Sequence, residues 1–430
     1  MSKQIPVHTP TAGSIAQVSV LTIGKQYKLT YEITESIAGG LKFNSAVDTS
    51  MVTTVGVHTK YFEADGTKAV FGRTSAIDND ITITNISIKE VTEDTDIPRL
   101  DYTDGGCPSL LLEPQSTNLV VNSEPTGVEN NDSNISYEAF SWSNGFSDCV
   151  KFGDNSVERR RRMGIVPALT ECTFSVYVIM DDLSKPFASE TNTSSGDFYF
   201  YLGGAISYED IKYKDCGGNV WRVSTTRVSS SSALNYNGVY KSTSQSSKGF
   251  RMVGFQLEAL PYATSYIPTS GTIATRLADS VTGAGDATTF NSTEGVLYFE
   301  GSALAFTSVG RNIAISSGTS NYIRIFYSNT SNKITYLVAS NGALVANMST
   351  PILSQVDVVK IAVTWKLNEF KFYLNGALVG TDTSGNTPIG LTNLRFSEPN
   401  AQNRFNGKVK DLRVYNTALT DAELITLTTI

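Results

Sequence analysis

Charge is what this sequence has least of. Asp, Glu, Lys and Arg make up 17% of its 430 residues, against about a quarter in ordinary globular chains. The net charge of −7 gives no general pull toward nucleic acid or an anionic membrane. No apolar run approaches the roughly 18 residues of a membrane span. The opening MSKQIPVHTPTAG lacks the apolar core of a secretion signal, which predicts synthesis in a cytosol. Only two histidines occur, His8 and His58, so a His-rich metal site or a triad using His is disfavoured. The four cysteines, Cys107, Cys149, Cys172 and Cys216, form no CxxC pair. That spacing suggests neither a zinc site nor a disulfide scaffold, and it predicts reduced, mostly buried thiols. GxSxG, HExxH, P-loop and dinucleotide signatures are all missing. Helix-forming runs are nearly absent, and no repeat of 20–50 residues is evident.

What remains is apolar, aromatic and alternating. Residues of the apolar classes make up 40%, with 20 Tyr and 20 Phe, enough for several cores in a chain whose length suggests two to four domains. In YKLTYEIT, Tyr27, Leu29, Tyr31 and Ile33 follow the period of a half-buried strand. Asp65-Gly66 between two apolar runs predicts a hairpin. In ITITNISIKEV, Ile81 and Ile83 are in one phase and Ile86 and Ile88 in the other, which predicts a bulge near Thr84-Asn85. In CTFSVYVIM, Phe174, Val176, Val178 and Met180 share a face, as do Val253, Phe255 and Leu257 in GFRMVGFQLEAL. Ile361, Val363 and Trp365 alternate, then Phe370, Phe372 and Leu374. Asn375-Gly376 is the sharpest hairpin signal in the chain. Val409 is out of phase with Leu412 and Val414, predicting a second bulge near Lys410-Asp411. Thr420 with Glu423 predicts a capping box opening one short helix. The fold class is therefore all-β. It comprises three tandem antiparallel β-sandwich (jelly-roll) domains and one short C-terminal helix. The expected boundaries are residues 1–95, a connector 96–125, 126–270, a linker 271–292 poor in large residues, and 293–430.

Chemistry-bearing residues are few. Glu113 in LLLEPQ is a lone carboxylate and reads as part of a junction network. Asp181-Asp182 reads as a turn. Asp78, Asp80, Glu90, Glu93, Asp94 and Asp96 read as a solvated linker. The block Glu158-Arg159-Arg160-Arg161-Arg162 reads as an exposed loop or an assembly surface, since Arg is enriched at interfaces. An anionic ligand is the alternative for the same block. Asp286 and Asp382 leave calcium open, though no local loop concentrates the six to eight oxygens calcium wants. No other cofactor is expected. The ligand-contact candidates are aromatics with small polar neighbours, where loops carry sites. They are Trp142 with Asn144 in SWSNGF, Tyr236 and Tyr240 in LNYNGVYKS, and Tyr322 in GTSNYIRIF. Trp221 and Trp365 sit in strands and read as core.

Several strings resemble known families. FKFYLNGALVGT and FNGKVKDLRVYNTALTDAEL resemble the hairpin and the close of a laminin-G-like, concanavalin A-like jelly roll. RLDYTDGGCPSLLLEPQSTNLVVNSE and FQLEALPYATSYIPTSG resemble junctions of tail-fibre and host-recognition proteins of tailed bacteriophages. The first domain resembles the second half of a carbohydrate-binding jelly roll common in phage tail proteins. Relative to that family, roughly fifty residues of preceding strands are missing, judged against ordinary domain sizes. The sandwich is either abbreviated or completed by another chain. These resemblances imply a non-enzymatic virion fibre protein that adheres to host surface polysaccharide. They imply docking on other virion proteins through the N-terminal region, and a homo-oligomer with a trimer favoured. Nucleic acid and membrane are not expected partners. A decoration protein of head or tail is the alternative, and a polysaccharide depolymerase the third reading, because a glycosidase's two carboxylates need not be close in sequence.

Overall fold

Alternating sequence becomes antiparallel sheet almost throughout. The computed structural model describes residues 14–430 except 18–19, 23–25, 46–50, 65, 75–78, 91–97, 103–106, 126, 128–131, 133, 154–157, 162, 190–195, 204, 208–209, 230–236 and 282. The chain divides into two compact units, Met1–Asp94 and Thr95–Ile430. Within them lie three antiparallel sandwiches and, among the described residues, one helix.

The first unit is two three-stranded sheets. One has the order Gly56–Glu63, Gln26–Ala38, Asp80–Glu90; the other has Ile15–Gln17, Ala69–Arg73, Leu41–Phe43. Tyr27, Leu29, Tyr31 and Ile33 all face the core between them. The bulge predicted at Thr84-Asn85 is present. Thr30 pairs with Ser87 but Glu32 with Thr84, and Asn85 takes φ 50°. The hairpin expected around Asp65-Gly66 is not. Its flanking strands, Gly56–Glu63 and Ala69–Arg73, lie in opposite sheets, and Phe62 and Phe71 join the core between them, each against Phe43. Asp65 itself, like Asp78, Glu93, Asp94 and Asp96, lies outside the described residues.

In the second unit, a six-stranded sheet has the order Ser136–Ala139, Asp148–Phe152, Phe250–Glu258, Glu171–Met180, Trp221–Val228, Lys212–Asp215. It packs on a four-stranded sheet ordered Glu158–Arg161, Gly238–Lys241, Tyr199–Leu202, Ala205–Ser207. Phe174, Val176, Val178 and Met180 line the core between them, as their spacing predicts. Val253, Phe255 and Leu257 do not share a face. Gly254, at φ +65°, sits in a bulge where Ser175 pairs with Gln256 but Tyr177 with Val253. The extra residue turns Val253 to the outer side, with Cys149 and Ile179, while Phe255 and Leu257 stay inside. A Cβ at Gly254 would stand 2.7 Å from a Tyr177 ring carbon, so only glycine holds both the angle and the space.

The last sandwich has a seven-stranded sheet ordered Ala377–Asp382, Glu369–Leu374, Val359–Lys366, Glu294–Ala303, Gly407–Tyr415, Ser109–Leu112, Arg99–Asp101. Facing it are Ala343–Pro351, Lys333–Ser340, Asn321–Tyr327, Arg311–Ser317 and Asn393–Arg395. Ile361, Val363, Trp365, Phe370 and Phe372 are fully buried in one core. Asn375-Gly376, at φ 50° and 81°, closes the tight hairpin in which Leu374 pairs with Ala377. Lys410 is the extra residue of the second predicted bulge, since Glu300 pairs with Asp411 and Gly301 with Val409. The capping box is complete at the helix Asp421–Thr428, whose Leu424 covers the outer side of the large sheet against Tyr298 and Tyr373.

The two strands at one edge of that seven-stranded sheet, Ser109–Leu112 and Arg99–Asp101, come from the stretch read as a connector. Leu110 and Leu112 pair with Val409 and Gly407, and Leu112 joins the last core. The chain then leaves for the second sandwich and returns beside its point of departure, where Ser116–Asn118 pairs with Ala274–Arg276. Further along the stretch read as a linker, Asp279 and Phe290 are buried.

Of the thiols, Cys149 and Cys172 are buried, Cys216 is half-buried and Cys107 exposed, all of them free. Burial pushes the Cys149 thiol up to about 12, with Glu138 adding to it, and the Cys172 thiol up to about 11. Both are therefore neutral and unreactive at physiological pH.

Candidate functional site

The strand Asn321–Tyr327 reads NYIRIFY. Ile323, Ile325 and Tyr327 point into the last core without exposure, and the alternation sends Tyr322, Arg324 and Phe326 to the outer side, half-buried. The Arg324 guanidinium lies 5.5 Å from the centroid of each neighbouring ring. Its Nη1 donates to Glu398 Oε1 at 3.2 Å, so a carboxylate from the loop after Asn393–Arg395 fixes a cation between two aromatic rings. Register completes the face. Tyr322 stands between Ala339 and Ser316, Arg324 between Leu337 and Ala314, and Phe326 between Thr335 and Asn312. Ala339, Ser316, Ala314 and Thr335 are shorter than the side chains they flank, so the Tyr322–Arg324–Phe326 row stands as a ridge. Beyond Leu337 and Thr335 stand Asn347 and Ser349, both exposed. On the opposite side Asn312 donates to the Asn403 carbonyl at 3.0 Å, and Arg395 to the Pro399 carbonyl at 2.9 Å, holding the loop that walls the ridge. The face thus offers apolar ring surface, one held guanidinium, an amide and hydroxyls. That combination matches the C–H face and hydroxyl edge of a sugar.

The other sequence candidates lie elsewhere. Trp142 is 4% exposed, under a turn closed by its own N–H donating to the Phe146 carbonyl at 3.0 Å. It packs on the outer side of the six-stranded sheet with Phe140, Phe146, Cys149, Ile179 and Val253, so its ring offers no face to solvent. Asn144 is exposed at the tip of that turn. Tyr240 is on the four-stranded sheet of the same sandwich, between Tyr199 and Tyr201. Tyr236 lies outside the described residues. The arginine block forms a strand rather than a loop, Glu158–Arg161 pairing with Gly238–Lys241 at the edge of that sheet; Arg162 lies outside the described residues. Trp365 is fully buried. Trp221 is half-buried against the second core, with the Lys185 ammonium 5.3 Å from its ring. Asp286 is held well below the usual carboxylate range, at about 2, by the hydroxyls and N–H groups of Thr288 and Thr289. Asp382 accepts from the Ser384 N–H at 3.0 Å. Among the described residues no cluster of three or more His, Cys, Asp or Glu could hold a metal.

Glu113 belongs to a buried network at the neck between the second and last sandwiches. Its Oε2 meets Arg99 at 2.6 Å and Arg276 at 3.0 Å, and its Oε1 accepts from the Ser265 N–H at 2.8 Å. Its own N–H donates to Asp279 Oδ2 at 2.8 Å. Burial raises the Asp279 pKa, partly offset by that N–H and by Arg99. Glu258, fully buried, accepts from Ser116 Oγ at 2.6 Å and the Thr264 N–H at 3.0 Å. Asn118 makes four bonds. It donates to the Phe255 and Ile267 carbonyls and accepts from the Val120 and Leu257 N–H groups. These carboxylates are committed to neighbouring donors, as a junction requires, which bears out the reading of Glu113.

Residues 302–425 match the family model described as the concanavalin A-like lectin/glucanases superfamily. The last sandwich is thus a laminin-G-type, concanavalin A-like domain. Solved structures with a similar course include the CBM40 domain of a Ruminococcus gnavus IT-sialidase. That likeness is at 14% identity and TM-score 0.30, over 35% of this chain and 97% of that one. Domain 4 of AbnA, an extracellular arabinanase from Geobacillus stearothermophilus, is similar at 14% identity and TM-score 0.29, over 37% and 74%. A toad ovary galectin is similar at 10% identity and TM-score 0.24, over 31% and 97%. A comparison with curated proteins gives no match.

Tyr322 was legible as a loop-flanking aromatic, but Arg324, Phe326 and Glu398 were not. The period of two in NYIRIFY is the signal that places three of its side chains outside.

Proposed function

We propose that this chain is a bacteriophage virion fibre protein that adheres to host bacterial surface glycans, with the Tyr322–Arg324–Phe326 face as a glycan contact. The observation that carries the glycan reading is the ridge itself: two rings with a guanidinium held between them by Glu398, beside exposed Asn347 and Ser349. The concanavalin A-like lectin/glucanase family match over the same domain supports it. The virion role rests on the sequence resemblance of residues 99–124 and 255–271 to phage host-recognition proteins.

The test is the full-length protein on an array of bacterial surface polysaccharides. Tyr322→Ala and Arg324→Gln should each weaken capture about tenfold, as losing a ring or cation–π contact of about 1–1.5 kcal/mol would, without shifting the melting temperature by more than a few degrees. Unchanged capture by both variants removes the face from the reading. Immunogold labelling of purified phage particles tests the virion role, and unlabelled particles overturn it. A decoration protein without sugar affinity is the second reading. It is favoured by the fact that both phage-like strings contribute to the buried neck, and an array with no captured glycan would select it.

A further inference from the structure

The last sandwich sorts its charge by sheet. The seven-stranded sheet carries acids along with its basic residues: Asp101, Glu294, Glu300, Glu369, Asp382 and Asp411. The five strands of the facing sheet contain no Asp or Glu. They contain four basic residues, Arg311, Arg324, Lys333 and Arg395. Arg311 is 2% exposed and turned inward beside Tyr327. The other three fall on the outer side. Lys333 is two positions from Thr335, which pairs with outward Phe326. Arg324 and Arg395 both pair with Ala314, and residues directly paired in an antiparallel ladder share a face.

Arg324 and Arg395 therefore stand on one row with Ala314 between them, two strand spacings or about 10 Å apart at the backbone. Their side chains reach consecutive residues of one loop. Arg324 Nη1 donates to Glu398 Oε1 at 3.2 Å, and Arg395 Nη1 to the Pro399 carbonyl at 2.9 Å. Among the described residues, Glu398 is the only carboxylate paired with either arginine, and Nη2 of each makes no hydrogen bond. Two guanidiniums thus share one carboxylate. One positive charge is left over beside the Tyr322 and Phe326 rings, on a protein of net charge −7. Both arginines are half-buried, so salt screens this surplus less than it would a fully exposed lysine. Ala314 is fully covered, so the charge is presented by the guanidinium ends and not from the floor of the sheet.

We propose that the Tyr322–Arg324–Phe326 face takes an acidic glycan, with a sugar ring on the aromatic ridge and its carboxylate or phosphate group meeting the Nη2 groups of Arg324 and Arg395. The planar guanidinium fork suits either anion. A ligand anion supplies the countercharge that Glu398 gives to only one of the two arginines, whereas a neutral sugar leaves the surplus unmatched. The proposal rests on the glycan reading of this same face and narrows its ligand to one charge class.

The test uses the full-length protein and two matched pairs of probes. One pair is polygalacturonate and its methyl ester; the other is phosphomannan and unphosphorylated mannan. At least one acidic polymer should bind about tenfold tighter than its neutral partner, the scale of a charge-assisted contact on a half-buried guanidinium. The pair that shows the gap tells carboxylate from phosphate. Arg395→Gln should remove most of the gap, and Arg395→Lys should keep part of it. Glu398→Gln leaves both guanidiniums without a countercharge and should widen the gap, which a loosened loop alone would not do. Circular dichroism melting should show each variant folded; if Arg395→Gln fails to fold, Glu398→Gln decides alone. Equal binding within both pairs overturns the proposal. So does a gap that Arg395→Gln leaves unchanged, or one that Glu398→Gln fails to widen. If equal binding goes with capture that Tyr322→Ala still weakens, the glycan reading of the face survives without its charge preference. If the wild-type chain captures no glycan of either kind, both fall.

Discussion

Glu113→Ala will destabilise the larger unit by about 3–5 kcal/mol, the cost of breaking a buried ion pair from one side. The side chain is 4% exposed, and of its partners Arg276 is nearly as buried, at 10%. Removing the carboxylate leaves that guanidinium without its ion-pair partner, with only the weaker influence of Asp279 and Glu258 and two backbone carbonyls to hold it. Burial already lowers the Arg276 pKa, and Glu113 is the largest opposing influence. The Ser265 N–H loses its acceptor as well, a further cost of about 1–3 kcal/mol if it stays dry. Glu113→Gln keeps the shape and one acceptor and should cost less. Glu113→Gln combined with Arg276→Met removes both charges together and should be milder than the two single effects added. Urea unfolding followed by tryptophan fluorescence would measure this series. A Glu113→Ala midpoint equal to wild type would refute the network as a source of stability.

Trp142→Ala should cost a comparable amount, about 3–5 kcal/mol for a buried tryptophan cut to alanine. The ring meets Phe140 edge-on at 5.7 Å and Phe146 at 6.3 Å, and it covers the outward side of Cys149, Ile179 and Val253. Its loss opens a cavity against a rigid sheet. Trp142→Phe should recover much of the loss. Glycan capture by the folded fraction should not change in either variant. The contrary pattern, weakened capture with an unmoved thermal midpoint, would mean that the ring meets ligand after all.

Strand periodicity made most of the architecture legible. Tyr27 to Ile33, Phe174 to Met180 and Ile361 to Trp365 face their cores as their spacing requires. Phase slips located the bulges at Asn85 and Lys410, because each puts apolar residues in two registers that only an extra residue reconciles. The bulge at Gly254 left no such mark. Val253 is apolar in either phase, and the outer side it faces is apolar too, being roofed by Trp142. Turn chemistry named the bend at Asp65-Gly66 without saying whether its strands pair or lie in opposite sheets, since that depends on a core assembled from distant residues. For the candidate sites, single aromatics were visible in sequence but their company was not. Tyr322 gains Arg324, Phe326 and Glu398, and Tyr240 gains Tyr199 and Tyr201, through register alone.

The pairing of Leu110–Leu112 with Gly407–Val409 also decides how the larger unit carries load. Tension between the beginning and the end of that unit runs across this ladder and bypasses the second sandwich, whose two tethers, Ser116–Asn118 and Ala274–Arg276, are clasped to each other. A pull applied to the second sandwich itself takes another route, down both tethers at once into the shared neck. The domain is a side branch on the force path, so it can be tugged without being drawn out from end to end.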